Sequence, residues 1–144
     1  MRSDVGAAGR NGSIASVMPL VRAGFAAYEK TMFSQDIAQL AQQIVATASE
    51  RGLMLATAES CTGGLVSAAI TAIPGSSAVL DRGFVTYSNE AKAQMQGVSL
   101  ESLSAHGAVS QVVAVAMAEG AVAHSRASVS VSVTGVAGPG GGSV

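Results

Sequence analysis

The chain has 144 residues, enough for a single core and too few for two domains of ordinary size. Hydrophobic residues make up 49% and charged residues only 12%, a balance that excludes a disordered chain. A formal net charge of −1 with no basic run gives no footing for nucleic acid. The longest uncharged stretches, Ser60 to Leu80 and Ala127 to Val144, are broken by Gly, Pro and Ser, so no membrane partner is expected either.

Residues 1–31, with Gly-Ala-Ala-Gly, Asn-Gly-Ser and a short apolar stretch interrupted by Pro19 and Arg22, read as a poorly ordered leader. Met32 offers an alternative start, and residues 32–144 read as the domain. From Ser34, a candidate N-cap, Ile37, Leu40, Ala41, Ile44, Val45 and Ala48 recur at helical spacing until Gly52. Leu53 to Ala58 is a short apolar run entering Ser60-Cys61-Thr62-Gly63-Gly64, the pattern of a buried strand feeding a loop. A second helix is expected from about Gly64 to Ala72, stopped by Pro74-Gly75. Val79 to Tyr87 reads as a strand. Ser88 or Asn89 then caps a helix reaching Gln96, Ser99 caps one ending at Gly107, and Ser110 caps a long apolar helix to about Ser125. Ser128 to Thr134 alternates Ser and Val as a strand does, and a Gly-rich terminus follows. Strands alternating with helices call for an α/β layer architecture, in which ligands lie beyond the carboxyl ends of the strands.

Three segments follow strands and carry candidate chemistry. Thr57 to Gly64 offers hydroxyls at a strand-to-helix turn, where main-chain N–H groups stabilise negative charge on a reacting oxygen; the bland reading is that Ser60 or Thr62 only caps the helix. Val85 to Lys92 brings one of the chain's two lysines, and a lysine with a lowered pKa activates a serine; a solvated surface lysine is the plainer alternative. Val133 to Ser143 can bring the Thr134 hydroxyl and main-chain donors to a phosphate, yet it lacks the lysine of a Walker loop, and taken alone it reads as a linker. Cys61 is the single cysteine, which excludes an intrachain disulfide and favours the cytoplasm; its thiol is a rival nucleophile. His106 and His124 lie far apart without ligand-spaced partners, so no metal is expected.

Taken in order, Thr57 to Gly64, Pro74-Gly75-Ser76-Ser77, Gly83 to Lys92, His106 to Ser110, Met117 to Gly120 and Val133 to Pro139 resemble the CinA-type C-terminal domain, a family whose members act as nicotinamide-nucleotide amidases. The resemblance runs from about Ser34 to Ser143. It implies a three-layer α/β/α sandwich around a mixed or mostly parallel sheet, a homo-oligomer, and hydrolysis of nicotinamide mononucleotide to nicotinate mononucleotide and ammonia without metal or cofactor. Carried over residue by residue, it implies Ser60 as nucleophile, Lys92 as its base and Tyr87 in the proton network. The N–H groups of the turn with Thr62 would hold the oxyanion, Gly63 and Gly64 are among the substrate-binding residues, and the nucleotide phosphate would lie against the Gly135 to Gly142 loop, with Thr134 and Gly138, or against a helix N-terminus, with Arg82 helping. Thr62 and Cys61 stay open as alternative nucleophiles. Family members continue past the Gly-rich segment into further strands and a terminal helix, so the chain is expected to be truncated. That leaves a second reading, a catalytically inactive nucleotide-binding or protein-interaction module of the same fold, and a third, an amidase for a different amide.

Overall fold

The computed structural model describes residues 32–138 and, in the leader, the main chain of 7–8 and 14–15. The chain divides into two units, Met1–Ser34 and Gln35–Val144. In the first, β1 (Ala7–Ala8) pairs antiparallel with β2 (Ile14–Ala15). The rest of the expected leader, and the glycines and serine of 140–143, lie outside the described residues.

In the second unit the elements follow the expected order with boundaries shifted by a residue or two. Helix α1 (Gln35–Glu50) starts directly after Ser34. It buries the narrow stripe Ala41, Val45 and Ala48, while Leu40 and Ile44 of the expected apolar face stay exposed. Strand β3 (Leu55–Glu59) leads into α2 (Leu65–Thr71), and a single 3₁₀ turn (Ser76–Ala78) precedes β4 (Leu80–Val85). Helices α3 (Asn89–Gln96), α4 (Leu100–His106) and α5 (Gln111–Ala123) come next, then β5 (Val129–Val133). Each of these three helices opens on a serine whose hydroxyl accepts the N–H three residues on: Ser88 from Ala91, Ser99 from Ser102, Ser110 from Val113. An N-terminal helix turn leaves main-chain donors without partners, and these side chains satisfy one each.

The strands β4-β3-β5 form a sheet that is parallel at both pairings, with β3 in the centre. Because side chains alternate across a strand, β3 divides the interior in two. Ala56 and Ala58 face a core with Phe84, Leu103, Val113 and Met117, under α3 to α5. Leu55 faces a second core with Val45, Ala48, Ile70 and Val79, under α1 and α2. The result is helices on both faces of a parallel sheet. Burying Met117 and Val113 completely contributes about 1.5–3 kcal/mol each before conformational entropy is counted. On β5 the serines turn inward: Ser130 donates to the Ala118 carbonyl and Ser132 to that of Ala114, both on α5. Those bonds let hydroxyls occupy a strand face that packs on a helix.

Candidate active site

The central strand ends at the candidate nucleophile. Beyond Glu59, the Ser60 N–H donates to the Val133 carbonyl of β5 at 2.9 Å, and the Thr86 N–H donates to the Glu59 carbonyl at 2.8 Å. The ladder thus runs one residue past β3 on both sides, fixing Ser60 between the ends of its neighbours. Immediately after it the chain turns through Gly63 (φ 59°) and Gly64 (φ 100°) into α2, a left-handed path that a residue with a Cβ rarely follows.

Lys92, 1% exposed, comes from the first turn of α3 and reaches into this space. Its Nζ lies 3.1 Å from Ser60 Oγ, 2.8 Å from the Thr86 carbonyl and 3.2 Å from the Tyr87 carbonyl. All three partners are neutral. Burial holds the lysine below its ordinary 10.5, with the neighbouring Cys61 opposing the shift. One turn along α3, Gln96 is 2% exposed and accepts the Thr86 hydroxyl at 2.9 Å, so Lys92 and Gln96 bracket Thr86 from one helix face. The Gln96 Nε2 has no partner among the described residues.

Beneath the turn lies Glu59, fully buried, with six hydrogen bonds to its carboxylate. Oε1 accepts the Thr57 hydroxyl at 3.1 Å, the Ser67 N–H at 2.8 Å and the Ser67 hydroxyl at 2.9 Å. Oε2 accepts the Thr62 hydroxyl at 2.7 Å and the N–H groups of Gly64 and Val66 at 3.0 Å each. Burial alone would push this carboxyl up, but the Ser67 amide, the Thr62 hydroxyl, the Val66 amide and the Ser67 hydroxyl together hold it below the usual range. Gly83 of β4 makes room for the network: a Cβ there would stand 2.2 Å from Ser67 Oγ and 2.8 Å from Thr57 Oγ1.

The tertiary structure therefore gathers Ser60, Lys92, Thr62, Gly63, Gly64, Thr134 and Gly135 at one end of the sheet. Gly135 lies against Cys61, where a Cβ would come 3.1 Å from Sγ, and the Thr134 hydroxyl donates to the Ala108 carbonyl at 2.8 Å. Gly138, at φ 117°, closes the described part of that loop. Several details differ from expectation. The Thr62 hydroxyl and the Gly64 N–H are given to Glu59, and the Gly63 N–H to the Ser60 carbonyl at 3.1 Å, so none of the three is free for an oxyanion. Tyr87 is 71% exposed, and it is the main-chain carbonyl of this residue that touches Lys92. Arg82 is not brought to the cluster. It pairs in register with Ala56, near the start of β3, and its guanidinium is held by Asp81 and by the His124 carbonyl. Glu59 had no role assigned from the sequence; its one visible signal is a carboxylate directly before the candidate nucleophile at the end of a buried strand.

Among the described residues no three metal-ligating side chains converge, and no helix is long and apolar enough to cross a membrane.

The chain is similar to known proteins. A nicotinamide-nucleotide amidohydrolase, PncC, of Escherichia coli K12 is 55% identical over 112 residues, a match covering 78% of this chain and 68% of that protein. A CinA-like protein of Chlorobium luteolum is 45% identical over 129 residues, 90% of this chain but 29% of its own length, and a relative from Symbiobacterium thermophilum, 51% identical over 128 residues, is covered over only 30% of its length. The crystal structure of a competence/damage inducible protein of Agrobacterium tumefaciens superposes with a TM-score of 0.75 at 58% identity, covering 77% of this chain and 67% of that one. The model of the CinA C-terminal domain matches residues 37–144, which takes in both cores, the Ser60 turn and Lys92, and on that match the chain belongs to the CinA C-terminal domain family.

Proposed function

We propose that this chain hydrolyses the carboxamide of nicotinamide mononucleotide to nicotinate mononucleotide and ammonia, with Ser60 as nucleophile and Lys92 as its base. One observation carries the mechanism: a buried lysine Nζ at 3.1 Å from the Ser60 hydroxyl, with two main-chain carbonyls as its other partners. A neutral amine has two N–H bonds and one lone pair. Nζ donates to Ser60 Oγ and to the Thr86 and Tyr87 carbonyls; once it has lost one proton, the two carbonyls keep its two N–H bonds and its lone pair takes the serine proton. No carboxylate is bonded to the amine to hold it in the charged form, and burial favours the neutral one.

Ser60 Oγ adds to the carboxamide carbon while its proton passes to Lys92 Nζ, leaving negative charge on the former carbonyl oxygen. When that intermediate collapses, Lys92 gives the proton to the departing nitrogen, which leaves as ammonia. Water then adds to the acyl-serine, Lys92 takes its proton, and Ser60 is regenerated with the acid released. Tyr87 serves through its carbonyl, which holds the lysine. The substrate is proposed from the nicotinamide-nucleotide amidohydrolase activity of the 55% identical relative together with the family membership. The loop of Thr134, Gly135 and Gly138, next to the turn, is the proposed place for the rest of the nucleotide. A single unpaired thiol suits a reducing cytoplasm, and assembly as a homo-oligomer follows from the resemblance.

Ammonia release from nicotinamide mononucleotide tests the reading. Turnover is expected to vanish in Ser60→Ala and to survive in Cys61→Ala. The reverse pattern would hand the nucleophile's role to the thiol. Calorimetric binding of the nucleotide by a folded wild-type chain without any turnover would favour the inactive binding module.

A further inference from the structure

We infer that Glu59 is the positioning residue of this site, fixing the turn after Ser60 so that the main-chain N–H groups of Cys61 and Thr62 are the ones left to receive the oxyanion. The inference rests on the proposed serine mechanism and adds the element that mechanism lacks, a defined pair of donors.

Most main-chain donors around the nucleophile are already taken. The Ser60 N–H is spent on the Val133 carbonyl, that of Gly63 on the Ser60 carbonyl, and that of Leu65 on the Thr62 carbonyl. The N–H groups of Gly64, Val66 and Ser67 all converge on the Glu59 carboxylate. Among the described residues, Cys61 and Thr62 alone in this turn have an N–H that meets no acceptor. Two adjacent free N–H groups directly after a serine nucleophile are suited to the oxygen of a tetrahedral intermediate. Glu59 produces that selection. By drawing in the donors of 64, 66 and 67 together with the Thr62 hydroxyl, it pins the chain on the far side of the turn.

Glu59 is also unfit for proton transfer. Its carboxylate oxygens only accept, the Ser67 amide, the Thr62 hydroxyl, the Val66 amide and the Ser67 hydroxyl favour the ionised form, and it is fully buried. A carboxylate used as an anchor must stay charged, and this one is surrounded by donors that keep it so.

Glu59→Gln separates anchoring from acid–base work, because the amide NH₂ would face main-chain N–H groups where an acceptor is required. The expected result is a kcat lower by about 10²–10³-fold, the range for losing an oxyanion donor, with KM unchanged and the pH limb of Lys92 unmoved. Wild-type kcat in folded Glu59→Gln would overturn the inference, as would a loss accompanied by a shifted pH limb, which would place Glu59 in proton transfer itself. The wild-type protein gives a second measurement that needs no variant. When a fluorophosphonate phosphonylates Ser60 with loss of fluoride, the amide protons of Cys61 and Thr62 are expected to move downfield in ¹H–¹⁵N spectra as they take up the phosphoryl oxygen. Movement of other amides with these two fixed would refute the assignment. The controls keep the two readings apart: turnover by Ser60→Ala sinks the serine mechanism, whereas an inactive Ser60→Ala together with unmoved Cys61 and Thr62 amides in the phosphonylated wild type sinks the oxyanion assignment alone.

Discussion

The two ends of the sheet handle charge in opposite ways. Near the start of β4, Asp81 bonds the exposed guanidinium groups of Arg82 at 2.7 Å and Arg126 at 2.8 Å. Arg126 and then Arg82 hold its pKa down to about 2, and solvent is at hand to screen the pairs. At the carboxyl end, Glu59 and Lys92 are both buried and opposite in sign, yet no ion pair joins them, and each is surrounded by neutral dipoles. A carboxylate bound to an ammonium would lock the amine in its charged form. Keeping the two apart lets one remain an anion while the other is free to lose its proton, which is the difference between a structural charge and a reactive one.

The largest expected effect comes from deleting the reactive charge. Lys92→Met should preserve most of the buried volume and lower kcat by about 10⁴-fold, in line with losing one member of a nucleophile–base unit, as measured by ammonia release. A Lys92→Met enzyme at near wild-type rate would erase the contrast between the two ends.

The pH profile sharpens the contrast. A base works when deprotonated, so kcat/KM should rise with pH along a limb set by Lys92, and burial places that limb below the ordinary 10.5. Gln96→Glu introduces a carboxylate on the same helix face as Lys92, beside Thr86. An anion there favours the ammonium and raises its pKa, so the limb should move to higher pH, and a shift of about one unit costs roughly tenfold at a fixed pH below it. An unmoved limb would mean that Gln96 does not sense the lysine.

Next in size is the polar layer under the turn. Gly83→Ala drives a methyl into Ser67 and Thr57 and should lower stability by about 1–3 kcal/mol in urea unfolding, with a parallel loss of kcat. Unchanged stability would show that the network yields easily.

The smallest effect belongs to the opposite end. Asp81→Asn should leave kcat and KM as they are and lower the melting temperature slightly at neutral pH. The sign follows from the depressed folded pKa: the stabilisation is present above the unfolded value of 3.8 and is lost as pH falls through about 2. Wild type and Asp81→Asn should therefore converge in acid, and a difference that persists below pH 2 would contradict the ion-pair account.

Much of this molecule was legible along the chain. The serines at 88, 99 and 110 announced three helix starts because capping is a contact between a side chain and an N–H three residues on. The Ser–Val alternation of β5 is equally local. Which partner a donor meets was not legible, even close along the chain. The Thr62 hydroxyl and the Gly64 N–H were expected to serve an oxyanion, and they face a carboxylate instead. Arg82 was expected at a phosphate, and its strand register sets it near the other end of the sheet.

By itself, then, the sequence determined the order of elements, the α/β layering they call for, and the family resemblance, all properties of neighbours in the chain or of motif order; the single core it suggested is split by β3 into two. Only the tertiary structure decided which atoms meet. It set Lys92 against Ser60 across 32 positions and spent the turn's donors on Glu59. Hydrogen bonds depend on distance and direction in space, and a parallel sheet brings together loops whose separation along the chain says nothing of either.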